Sequence, residues 1–206
     1  MEVLSIKNLE YLHIHDEENI YMGAHQEWYD KIWQKRAGCG PTTAAGAMLY
    51  LQKKISKSEE IQFLTDKYEM LELMKEMWNY VTPGYRGVNT TSIYIRGCKE
   101  YGQKHELDLD VKHLNVLPDK KLRPSGEEVR DFITNALADD NPVAFLNLHN
   151  GEEKNLDRWH WVLLTSFDPT SGISLMYDQG IATYINIYLW LKTTIFGGGF
   201  VVINEL

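Results

Sequence analysis

The hydrophobic pattern of the chain changes period near residue 105, and that change limits the fold more than any other feature. Before it, apolar residues recur at helical spacing; after it come short runs rich in β-branched and aromatic residues, separated by turn residues. A helix is predicted from Cys39 to about Lys53, because Pro41 suits a first turn and "AAGAMLYLQKK" follows. The segment "SKSEEIQFLTDKYEMLELMKEMWNYV" carries Ile61, Leu64, Tyr68, Leu71, Met74 and Trp78 at helical spacing. It opens on Ser58 and early glutamates and stops at "TPGYRG", so both ends read as helix ends, and its methionines read as core filler rather than a partner groove. "TTSIYIRGCKEYGQKH" predicts a further helix holding Cys98 as a structural residue, and "LEYLHIH" at residues 9–15 alternates as a short strand does.

Beyond the change of period, "LDLDVKHLNV" alternates and a helix with Ser125 as its cap is expected at about 125–139. "NPVAFLNLH", "HWVLLTSFD", "ISLMYD", "YINIYL" and "GGFVVINEL" then read as strands. Helices first and antiparallel-looking strands later predict an α+β fold. With 206 residues and no internal repeat, one domain is expected, helical over about 26–104 and mainly β over about 105–206.

A formal charge of −8, with no basic run interleaved with aromatics, argues against nucleic acid as a partner. The start lacks a basic and apolar leader pattern, and no apolar stretch is long enough to cross a bilayer, so no membrane partner is expected. Cys39 and Cys98 make no disulfide framework, and free thiols suit a reducing compartment, with the cytoplasm as the expected location. Nothing in the sequence sets the oligomeric state.

Chemistry concentrates at "RAGCGPTTAAGAML", residues 36–49. A thiol becomes a strong nucleophile where its thiolate is favoured and a base stands beside it. A helix's first turn favours the thiolate through unpaired N–H groups and the positive end of the dipole. Gly38 and Gly40 would let the backbone turn sharply and a substrate carbonyl approach closely. The bland account is a small buried cysteine in a glycine turn. His160, at the front of an apolar strand between Trp159 and Trp161, shifts the balance. So does Asp178 in "MYDQG": strands joined by the "PTSG" turn would bring these ends together, letting a carboxylate orient an imidazole.

Taken in order, "GCGPTTAAGAM", "HWVLLTSFD" and "YDQG" resemble the papain-like cysteine peptidases of the C39-like group. The resemblance runs from about Gln26 to Asp178. It implies a nucleophile helix packed on a C-terminal antiparallel sheet, with Cys39 as nucleophile, His160 as general base and acid, and Asp178 as orienting residue. It also implies a glutamine ahead of the cysteine that helps hold the tetrahedral oxyanion. Gln34 lies five residues before Cys39, and Gln26 sits in "GAHQEWYDKIW"; one of the two would serve, with Gln26 preferred.

The expected activity is hydrolysis of a peptide or other amide through an acyl-enzyme. An acyltransferase on the same scaffold, or a binding module that has lost catalysis, are the alternatives. No cofactor is called for. His13, His15 and His25 lack a further ligand at suggestive spacing and no C-x-x-C exists, so no metal is expected. "IFGGGF" lacks the ending of a phosphate loop. Trp28, Tyr29, Trp33, Trp159 and Trp161 suit either a cleft lining or core packing.

Overall fold

The computed structural model of the protein describes residues 2–56 and 65–206. It is a mixed α+β structure in which helices pack on a largely antiparallel sheet. Its N-terminal part holds β1 (Leu4–Ser5), β2 (His13–Asp16), β3 (Asn19–Met22), α1 (Ile32–Ala37), α2 (Cys39–Ile55), β4 (Thr65–Asp66), α3 (Lys67–Tyr80) and α4 (Thr91–Lys104). There follow β5 (Leu109–Val116), α5 (Gly126–Ala138), β6 (Val143–Asn147), β7 (His160–Phe167), β8 (Ile173–Asp178), β9 (Ile181–Asn186), α6 (Ile187–Thr193) and β10 (Gly198–Glu205). The main sheet runs β5-β10-β6-β7-β8-β9, with β1 pairing beside β7; β3-β2-β4 form a small second sheet. No helix among the described residues is long and apolar enough to cross a membrane.

Helix α2 is the centre of the structure. Every residue from Gly40 to Leu51 is buried, which a helix tolerates only when neighbours cover it all round. Its small residues permit that: a Cβ added at Gly46 would already meet Leu163 Cδ2 of β7 at 3.4 Å. Alternation along β7 puts Trp161 and Leu163 on the α2 face, where Tyr94 of α4 stacks on Trp161 with ring centroids 4.3 Å apart. Phe145 and Phe200, paired across β6 and β10, pack on the other face with Phe132 of α5 and Trp190 of α6.

Helix ends follow local chemistry. Ser125 and Glu128 form a capping box at α5, and Asp66 and Glu69 form one at α3. The second corrects the expected helix opening: α3 starts at Lys67, because Thr65 and Asp66 pair in parallel with Ile14 and His15. The predicted start at Ser58, with Ile61 and Leu64, lies outside the described residues. The buried stripe is Met70, Met74 and Met77, while Tyr68 is exposed and Leu71 and Trp78 are half-buried, so the methionines are core and the inward face sits one step off the spacing predicted.

Two further expectations change. "LEYLHIH" is a 3-10 turn over Leu9–Leu12 before the strand begins at His13. "YINIYL" ends β9 and then turns into α6, which Asn186 caps by accepting from the Leu189 N–H.

Candidate active site

Cys39 is the first residue of α2, half-buried, with its sulfur 4.0 Å from the Trp159 carbonyl. Its glycine neighbours have a different use from the one expected. Gly38 has φ −82° and ψ −3°, which any residue can adopt, but an added Cβ would collide with the Gln34 carbonyl and lie 2.6 Å from the Tyr29 ring. At Gly40 a Cβ would sit 2.7 Å from a Val88 methyl. The glycines therefore let neighbouring parts of the protein close on the helix start. Gly38→Ala is expected to lose about 2 kcal/mol of stability in urea unfolding, because Tyr29 and the α1 backbone cannot both retreat.

His160 opens β7, and Asp178 ends β8 next to it. The β7–β8 hairpin pairs Leu163 with Tyr177 and carries a bulge between Leu164 and Ser166. Asp178 then pairs with Ile181 across a two-residue turn of Gln179 and Gly180, both at positive φ, which is the geometry of a tight hairpin turn. The result is a hydrogen bond of 2.7 Å between His160 Nε2 and Asp178 Oδ1. Nδ1 is the ring nitrogen this bond leaves unused, and Cys39 lines the same small chamber as the ring.

His160 is buried at 6% exposure. Burial alone would lower its pKa; the Asp178 hydrogen bond, the Cys39 hydrogen bond and the charges of both outweigh it and push it up to about 10. Cys98, by contrast, is wholly buried in α4, and burial holds its thiol far above the ordinary value.

A chamber of about 30 Å³, enough for one water-sized group, is lined by Cys39, His160, Asp178, Gln26, Thr42 and Gln179 among others. Gln26 thus shares a wall with the thiol and imidazole; Gln34, on α1, is not part of that lining. Gln26 Nε2 donates to the Lys35 carbonyl at 2.8 Å, and its Oε1 is buried without a partner among the described residues. That bond fixes the orientation of the amide, since reversing it would set two carbonyl oxygens together. The chain matches no protein-family model and no curated protein.

Chemically, the arrangement is an imidazole held by a carboxylate in the chamber that a thiol at a helix start also lines. Sequence reasoning names Trp159 as a cleft or core aromatic but misses the backbone turn it makes beside the site. Trp159 has φ +56°, a left-handed conformation that is uncommon outside glycine, and it turns the chain into β7 just before His160. No residue-type signal marks that position.

The aromatic residues divide. Tyr29 and Trp161 are core, and Trp28 packs edge-on against Tyr21, whereas Trp33 and Trp159 are exposed. His25 accepts from the Glu27 N–H, and His13 stacks on Tyr177. Among the described residues no three His, Cys, Asp or Glu side chains gather as a metal site would need.

Proposed function

We propose that the protein is a papain-like cysteine hydrolase of the C39-like type, acting on a peptide or other amide through a Cys39 acyl-enzyme. The observation that carries this reading is the His160 ring bonded to Asp178 at 2.7 Å, with Cys39 lining the same chamber as both. Asp178 fixes the tautomer and supports the charged ring.

The charge coupling also suits the two halves of such a reaction. While Cys39 carries negative charge it helps keep His160 protonated, ready to give its proton to the leaving amine. Acylation converts the sulfur to a neutral thioester and removes the contribution of Cys39. The His160 pKa then falls toward the range where the ring can take a proton from the attacking water. Gln26 has one of its two amide N–H donors on Lys35; the second is the donor assigned to the oxyanion.

Incubation with an activated amide or thioester substrate is expected to leave an acyl group on Cys39, found by mass spectrometry of the digested protein and released by hydroxylamine. Acylation only at Cys98, or none with substrate consumed, would sink the proposal.

A further inference from the structure

Beside the small chamber, Cys39 also borders an open groove of about 810 Å³. Its walls carry Trp33, Tyr85, Trp159 and Phe196, which are 48%, 98%, 47% and 46% exposed. Large aromatic side chains scattered singly over a surface need no explanation, but four converging on one groove do. Between them stand Arg36 and Arg86, whose side chains make no hydrogen bond or ion pair among the described residues. No aspartate or glutamate lines the groove, although the chain as a whole carries a formal charge of −8. The site therefore has the opposite charge to the protein that surrounds it.

The groove is also built to hold its shape. Tyr85 and Arg86 form the tip of a turn closed by reciprocal Gly84 and Gly87 backbone hydrogen bonds of 3.2 and 2.9 Å. The next residue anchors that turn twice: the Trp161 indole donates to the Val88 carbonyl at 2.6 Å, and the Val88 side chain packs on Gly40 of α2. Trp159 and Phe196 meet with ring centroids 6.3 Å apart on the opposite stretch of chain. These bonds fix the backbone that carries Tyr85 and Arg86, so a ligand has only their side chains to order.

We infer that this groove selects peptide segments in which an aromatic or large apolar side chain lies beside a carboxylate. The apolar side chain would stack among the four rings, and the carboxylate would take up Arg36 and Arg86, guanidinium being well matched to that group. The assignment rests on the amide-hydrolase reading for what happens at Cys39, though not for binding itself.

The two can be separated with Cys39→Ala protein and fluorescent N-acetyl peptides that differ only in Glu-Phe, Gln-Phe or Lys-Phe. Anisotropy titration at low salt should show the Glu peptide binding about tenfold more tightly than the Gln peptide, as two partly exposed ion pairs would give. The preference should shrink with added salt and vanish in the double variant Arg36→Gln with Arg86→Gln. In parallel, the Glu peptide should protect Cys39 of the unmodified protein from iodoacetamide better than the Gln peptide does. Equal affinity for the three peptides, preference for Lys, or no binding at all would overturn the groove assignment. Turnover without charge selection overturns it too while leaving the hydrolase reading intact; acid-selective binding without any turnover supports the groove and removes the hydrolase.

Discussion

Replacing His160 with alanine is expected to lower kcat/KM of the proposed amide hydrolysis by at least about a thousandfold, with no rescue from any other histidine. Among the described residues the ring is the only imidazole lining the Cys39 chamber, so no second histidine there can take its place. The same variant should also slow iodoacetamide alkylation of Cys39, because the imidazole that lines its chamber can no longer take up the thiol proton. Cys39→Ala should lose the hydrolysis and the alkylation together. The buried position of His160 makes a stability control necessary, so His160→Gln belongs beside the alanine variant: it fills most of the same space yet can neither carry the charge nor shuttle the proton. Near-normal turnover in folded His160→Gln protein would remove His160 from the chemistry. Hydrolysis that survives in Cys39→Ala would place the reaction elsewhere on the protein.

Much of the scaffold around these residues can be read from the sequence, for local reasons. The run "PTTAAGAML" opens on a proline suited to a first turn and carries small or apolar uncharged side chains, so a helix that can be buried all round is legible there. Ser125 and Glu128 announce their helix by a capping pattern that needs no tertiary partner. His160 and Asp178 come together because a short hairpin leaves adjacent strand ends no other place to be. What escapes the sequence depends on contacts between distant segments. Thr65 and Asp66 break the apparent long helix only because β2 offers them a strand to pair with. Gly38 and Gly40 read as glycines needing unusual backbone angles, yet the constraint is the space that Tyr29 and Val88 occupy. The arginines of the groove are fifty positions apart, and only the Val88 anchor on Trp161 and Gly40 explains why they line one surface.

Asp178→Asn should then distinguish an orienting carboxylate from a bystander by its pH dependence. The folded protein holds the His160 pKa near 10, against about 6.5 for the ring in an unfolded chain. A raised folded pKa means that the protonated ring stabilises the fold fully below about pH 6.5, and that this contribution is lost as pH rises through 10. Removing the Asp178 charge lowers that folded pKa, since the hydrogen bond to Asp178 is the first of the influences that raise it against burial. Wild type should therefore exceed Asp178→Asn by about 2 kcal/mol in urea unfolding at pH 6, with the gap closing between about pH 7 and 10. Histidine NMR should show the same shift directly, with the His160 ring losing its proton at lower pH in the variant. In catalysis, asparagine can still accept a hydrogen bond from Nε2, but it no longer supports the positive ring. A fall in kcat of about a hundredfold or more, with KM little changed, is expected. A stability gap that stays constant from pH 6 to 10 would mean that Asp178 serves packing alone, and that His160 is charged by Cys39 without it.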